Sequence, residues 1–263
     1  MRYGVCDLTV IPLRARPNHE SEMVSQILFA ETFKILDQTD NWLHIKCSAD
    51  NYTGWVDEKQ IIELELETFD AIRSASSVFA KDIVHTAKSI YKELPVLMGS
   101  PLPFYRNHQF SLFENKFKYD GTVVDLRTES TSREQLKTNA LKFINAPYLW
   151  GGRSPLGIDC SGFVQTVYRF ANIQLNRDAA DQAEQGRLIN QIEDSETGDL
   201  AFFANERGKI THVGIMLNNN QIIHAHGRVR IDSVDPSGIF NVDTGKYSHK
   251  YHSTKRFIEE ESD

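Results

Sequence analysis

The sequence is short of cysteine, of long apolar runs and of positive charge, and each shortage excludes a class of protein. Its 263 residues hold three cysteines, Cys6, Cys47 and Cys160. That is an odd number at wide spacing, unsuited to a small domain stapled by disulfides. No stretch approaches the roughly 18 to 20 apolar residues of a membrane-spanning helix. The opening segment MRYGVCDLTVIPLRARP is interrupted by Asp7 and ended by Pro12 and Arg14. It lacks a small-residue cleavage site and reads as a first strand, not a leader. Against 36 Asp+Glu stand 29 Lys+Arg, a net charge of −7, and both halves of the chain share the acidic excess. A binder of nucleic acid or anionic membrane carries a basic face, so neither partner is expected. Together these features point to the cytoplasm.

What is present is the composition of a globular protein, 40% hydrophobic and 25% charged, at a length that suits two domains. Residues 1–64 show short apolar alternations broken by turn residues (VIPLRARP, SQILFAETFKIL, NWLHIKC, NYTGWV), the spacing of a small all-β barrel. Trp42 and Trp55 each precede an alternation, and Gly54 stands where a turn would feed the last strand. The layout resembles the bacterial SH3-like (SH3b) domain. Residues 65–130 fit a degenerate second SH3-like unit or a linking segment. Phe69 to Tyr91 suits helix or strand, while Pro95, Pro101 and Pro103 forbid a long helix beyond it.

Residues 131–263 read as helices followed by antiparallel strands, an α+β layer architecture. Thr131 or Ser132 is placed as an N-cap of a helix running toward Phe143. A helix follows from about Cys160 to Ala171, where Phe163, Val164, Val167, Phe170 and Ala171 mark an apolar face. The strands are GDLAFF, HVGIML and QIIHAH, and the closing run Glu259–Asp263 reads as a solvated tail.

Cys160 opens its helix, where unpaired backbone N–H groups and the helix dipole predict a lowered thiol pKa and a nucleophile. If Asn218, Asn219 and Asn220 form a three-residue hairpin loop, Leu217 faces Gln221, Gly214 faces His224 and His212 faces His226. All three histidines then project from one face of the sheet. Cysteine, histidine and a third polar group are the parts of a cysteine hydrolase. His212 is the expected base, and either His224 or His226 the group that orients it. Zinc on the same side chains is the competing reading, but the C-x-x-C or H-E-x-x-H spacing of a metal site is missing. No metal and no cofactor are expected.

The segment YLWGGRSPLGIDCSGFVQTVYR, then NRDAADQAEQG, GDLAFF, THVGIML and IIHAHGRVRI, resembles in order the NlpC/P60 cysteine peptidases, cell-wall peptide hydrolases with a papain-like core. With an SH3b-like domain ahead of it, the chain is similar to the γ-D-glutamyl-L-diamino acid endopeptidases of murein recycling, the dipeptidyl-peptidase VI type. The resemblance implies Cys160 as nucleophile, His212 as base and His224 as third polar residue. It implies Tyr148 as a donor to the substrate carbonyl, with Asp159 and Ser161 flanking the nucleophile. Asp159, with Glu22 and Tyr52 on the SH3b-like domain, would hold the free amino group of an N-terminal L-alanine. The implied substrate is a free murein tri- or tetrapeptide, and the protein itself is expected to be a monomer. Arg153, Arg177 and Asp178 are candidates for meeting substrate carboxylates, and no one of them is chosen. His19, His44, His85, His108, His249 and His252 have no partner visible in the sequence. An exported hydrolase acting on intact peptidoglycan and a non-catalytic wall-binding module are the alternatives.

Overall fold

Alternating burial builds the first strands: Ile11 and Leu13 are buried in one, Leu43, Ile45 and Cys47 in another, with less buried residues between. In the computed structural model, which describes residues 2–128 and 132–258, the chain divides into two units. One is Met1–Glu129 with Trp150–Pro155, the other Ser130–Leu149 with Leu156–Asp263. Thr131 and the tail Glu259–Asp263 lie outside the described residues.

The first unit begins with β1 (Arg2–Val5), β2 (Val10–Arg14), β3 (Met23–Leu28), β4 (Thr32–Thr39), β5 (Trp42–Cys47), β6 (Thr53–Asp57) and β7 (Ile62–Leu64). They form one antiparallel sheet in the order β3-β2-β6-β5-β4-β1-β7. The opening segment makes two strands instead of one, because the chain bends at Leu8 and Thr9. Gly54 lies inside β6 opposite Ile45, not in a turn. A Cβ there would meet Leu13 Cγ at 2.6 Å, so the close approach of β2 requires the glycine.

The ambiguous stretch after residue 65 resolves into both elements. Helix α1 (Leu66–Ser74) buries Phe69 and Ile72, and strands follow: β8 (Val78–Ala80), β9 (Val84–Lys88), β10 (Glu93–Leu97), β11 (Gln109–Leu112), β12 (Asn115–Lys118) and β13 (Val123–Asp125). They pair as β10-β9-β12-β11 and β13-β8. Their core, with Ile72, Val96, Phe110 and Phe117, also takes in Val5, Phe29 and Ala30 from the start of the chain. The short strand β14 (Arg153–Ser154) belongs to this unit.

In the second unit, Ser132 Oγ caps α2 (Arg133–Leu141) by accepting from the Gln135 N–H at 3.1 Å. Next come β15 (Gly157–Ile158), α3 (Cys160–Arg169) and α4 (Ala179–Gln182). The strands are β16 (Arg187–Ile189), β17 (Leu200–Ala204), β18 (Ile210–Asn218), β19 (Gln221–His226), β20 (Arg228–Asp235), β21 (Gly238–Asn241) and β22 (Lys246–Arg256). Their antiparallel order is β16-β22-β17-β18-β19-β20-β21, and β22 also pairs with β21, so the sheet closes on itself. Phe203, Met216, Ile222, Val234 and Ile239 share its core. Helix α3 packs on β18 and β19 and, from Cys160 to Tyr168, is buried on every side, not on one face only. Gln165 and Thr166 are buried with it because they donate to the Leu175 and Gly162 carbonyls. Burying Phe163, Val164 and Val167 stabilises this contact by about 1.5–3 kcal/mol each, which fixes the helix start against β18. Among the described residues no helix is long and apolar enough to cross a membrane.

Candidate active site

Cys160 is the first residue of α3, and Asp159 is its N-cap, accepting from the Gly162 N–H at 2.7 Å. The backbone N–H groups of Val213 and Ser161 lie close enough to the thiol to favour its ionised form. The sulfur therefore lies against β18 at the residue after His212. Arg177 favours the thiolate as well. Burial nevertheless dominates and, with the Asp159 carboxylate, pushes the thiol up to about 12. The lowered pKa expected from a helix start alone is thus reversed, and the resting sulfur is a thiol that needs a base.

The expected register of β18 and β19 holds at Gly214 opposite His224. Near the turn it differs: Asn218, not Leu217, pairs with Gln221 across a bulge, so Asn219 and Asn220 make a two-residue connection. Because the bulge lies beyond Met216, the histidines keep one side of the sheet. His212 Nε2 lies 2.8 Å from His224 Nδ1, and the His226 ring is 6.5 Å from that of His212. Burial, then the neighbouring imidazoles, hold His212 well below the usual histidine range. His224 is also lowered by burial, against the pull of Asp232. Both rings are neutral at pH 7 and able to accept a proton.

Tyr148 is placed by its backbone, which donates to Gly227 just past β19 and bridges Ile158 just before the cap. Its phenol is raised by burial and by the nearby Cys160 and Asp159, so it remains a hydroxyl donor. Arg177 is fully buried. Its guanidinium forks onto Asp159, NH2 to Oδ2 at 2.6 Å and NH1 to Oδ1 at 3.1 Å, and NH1 also reaches Ser161 Oγ at 2.9 Å. Arg177 is therefore committed to the helix cap instead of standing ready for a substrate carboxylate. Asp178 is exposed at the start of α4.

The second unit thus brings together Cys160, His212, His224, Tyr148, Asp159 and Ser161. Glu22 and Tyr52 belong to the first unit. Glu22 Oε1 accepts from the Trp150 indole N–H at 2.6 Å, and Tyr52 packs half-buried against the barrel core. Arg153 is buried beside Glu31, with NH1 and NH2 on the two carboxylate oxygens at 2.8 and 3.0 Å and NH1 on the Gln26 carbonyl. Burial opposes its charge and Glu31 more than offsets that; this guanidinium too is committed within the protein. Gly151 turns the same segment with φ 75°, and a Cβ there would lie 2.2 Å from the Met23 carbonyl oxygen.

Two residues of the constellation have no signal in the motif. Asp232, on β20, is buried and lies 2.9 Å from His224 Nε2. His249, on β22, stacks on His212 at 4.0 Å between ring centroids, and burial followed by the other imidazoles lowers it to about 3. The pairing of β20 with β19 offers a route to the first, but only closure of the sheet reveals the second. Among the described residues no group of three or more His, Cys, Asp or Glu side chains is arranged to hold a metal ion.

Residues 145–252 match the model of the NlpC/P60 family, and residues 13–61 that of the bacterial dipeptidyl-peptidase SH3 domain. The gamma-D-glutamyl-L-lysine dipeptidyl-peptidase of Bacillus subtilis (strain 168) is 29% identical over 220 residues, 76% of this chain and 71% of that protein. Dipeptidyl-peptidase 6 of Lysinibacillus sphaericus is 26% identical over 248 residues, 85% of this chain and 88% of that protein. The crystal structure of an NlpC/P60 family protein from Bacillus cereus ATCC 10987 superposes with a TM-score of 0.84 at 20% identity, covering 98% of this chain and 100% of that one. That likeness establishes the fold.

Proposed function

We propose that this chain, which joins an NlpC/P60 domain to a bacterial SH3 domain, is a cysteine endopeptidase that hydrolyses the γ-D-glutamyl-L-diamino acid bond of murein peptides. The observation that carries the chemistry is the buried Cys160 thiol at the head of α3, beside the strand bearing a hydrogen-bonded pair of neutral imidazoles. The bond is the one in the names of the relatives that span most of the chain.

His212 takes the Cys160 proton as the sulfur attacks the γ-glutamyl carbonyl carbon. The developing oxyanion is met by the Tyr148 hydroxyl and by backbone N–H groups at the head of α3. His212 then gives its proton to the leaving amine of the diamino acid, and a thioester remains on Cys160. Water attacks that thioester with His212 as base, which releases L-alanyl-D-glutamate and restores the thiol.

In this reading the substrate is a free tri- or tetrapeptide whose N-terminal ammonium is paired with the Asp159 carboxylate. An ammonium paired with a carboxylate out of water contributes strongly, and an acylated amine forfeits that pairing. Such peptides belong to recycling, and the reaction is assigned to the cytoplasm, where a single chain suffices and the thiols stay reduced. The test is mass spectrometry of L-alanyl-γ-D-glutamyl-meso-diaminopimelate digestion beside the N-acetylated peptide, with Cys160→Ala as control. Cleavage of the free peptide alone, lost in the variant, is the expected outcome. Equal cleavage of both peptides removes the amine gate, and no cleavage of either by folded, reduced protein overturns the peptidase reading.

A further inference from the structure

His224 has a second partner that the mechanism above does not use. The side chains of His224 and Asp232 are both closed to solvent, and Nε2 lies 2.9 Å from Oδ2. The pairing of β19 with β20 sets His224 opposite Arg230 and Ile222 opposite Asp232, so Arg230 and Asp232 share the face of His224. Arg230 donates through Nε to Oδ2 at 2.7 Å and through NH2 to Oδ1 at 2.8 Å, and the Val242 N–H donates to Oδ1 at 3.1 Å. Arg230 is itself held on its far side by Asp243 at 2.7 Å. Burial alone would raise the Asp232 carboxyl, but the hydrogen bonds from His224, Arg230 and Val242 bring it below the usual carboxylate range.

The protons follow from this donor set. An ionised carboxylate only accepts, so His224 Nε2 must carry the hydrogen. A neutral ring has one N–H, which leaves His224 Nδ1 with a lone pair. That lone pair faces His212 Nε2 at 2.8 Å, so the His212 proton sits on Nε2 and its Nδ1 is bare. We propose that Asp232 is a positioning residue that, through His224, sets the tautomer of His212 and leaves Nδ1 as the atom that accepts the Cys160 proton. When His212 becomes an imidazolium, the same chain presents it with His224 Nδ1 as acceptor and the Asp232 charge behind. The remaining neighbours, His226 and His249, approach these rings edge-on or stacked and do not replace either hydrogen bond.

An asparagine at 232 cannot reproduce this arrangement. With its oxygen toward His224, its NH2 faces the Arg230 and Val242 donors; with its NH2 toward His224, it demands a lone pair on Nε2 and reverses both tautomers.

The inference rests on the roles proposed for Cys160 and His212, and its first test needs no substrate. In the full-length protein labelled with 15N-histidine, NMR should report the Nε2–H tautomer at both His212 and His224. An Nδ1–H tautomer at His224 overturns the proposal even if the peptide is cleaved. Asp232→Asn should lose that signature and lower kcat by about 10²- to 10⁴-fold with KM nearly unchanged. In a His224→Ala background the same substitution should add less than about threefold. A folded Asp232→Asn protein with wild-type kcat and tautomers overturns the proposal. If that variant does not fold, the wild-type tautomers still decide. Failure of the wild type to cleave peptide at all, with the Nε2–H tautomers present, counts against the peptidase reading and not against the proton arrangement.

Discussion

Each unit of this protein holds a buried arginine forked onto a carboxylate and a buried thiol pushed up to about 12, yet only the second sets them beside a hydrogen-bonded pair of histidines. In the first unit Arg153 grips Glu31, and Cys6 sits in the barrel core with its Sγ donating to the Leu8 carbonyl. In the second, Arg177 grips Asp159, the residue before Cys160. Burial and ion pairing are the same in kind. The difference lies in the neighbours: a turn and barrel packing around Glu31 and Cys6, a helix start and paired imidazoles around Asp159 and Cys160. Neither a perturbed thiol nor a buried ion pair identifies a site by itself.

That contrast can be broken or sharpened by matched substitutions. The largest effect is expected at the thiols. Cys160→Ala should reduce peptide turnover to background, while Cys6→Ala leaves kcat/KM within about threefold, both read by product formation against folded protein. Next come the arginines. Arg177→Met and Arg153→Met should each destabilise by about 3–5 kcal/mol in urea unfolding, because each removes the opposite charge from a buried carboxylate. Only Arg177→Met should also cut kcat/KM, by about 10²-fold or more, since it frees the cap beside the nucleophile. Neutralising the remaining carboxylate with Glu31→Gln or Asp159→Asn should restore stability in both cases, but should not restore activity to Arg177→Met. Restored activity in the Arg177→Met, Asp159→Asn protein would show that the second pair is no more than packing.

The smallest effect is on pH dependence. Among the described residues the buried histidines, His212 and His224, lie in the second unit. Their folded pKa values are depressed, so the neutral rings contribute stability that is fully present above about pH 6.5, the unfolded value. It is lost as pH falls below that, because the unfolded chain binds the protons first. The slope is at most about 1.4 kcal/mol per pH unit for each ring. Amide protection, corrected for the intrinsic exchange rate, should therefore fall between pH 6.5 and 4.5 in β18 and β19 before the first barrel. Loss of protection in β2 and β5 first would contradict this.

The parts of the site carried by short-range pattern were legible. Cys160 as a helix start follows from the apolar spacing after it, and the His212 and His224 pairing follows from strand alternation with one assumed turn. Leu217 shows how that assumption can fail locally and still succeed: the bulge adds a residue before the histidines are reached, and their facing is untouched. Asp232 was within reach, because the one-residue turn at Gly227, with φ 71°, sets Arg230 against His224. His249 was not, since it depends on β22 crossing back to close the sheet. The partners of Arg153 and Arg177 are set by burial of loops, where side-chain spacing carries no period. Helix α1 was ambiguous because Phe69 and Ile72 mark a single turn, too short for a helical period to separate from alternation.

The account stands on acyl transfer to one sulfur, and acid-quenched intact-protein mass spectrometry during turnover of L-alanyl-γ-D-glutamyl-meso-diaminopimelate tests that most directly. An L-alanyl-D-glutamyl adduct mapped to the fragment containing Cys160, and absent from Cys160→Ala, is the expected result. Undiminished turnover by Cys160→Ala, or an adduct on Cys6 or Cys47 in its place, would contradict it.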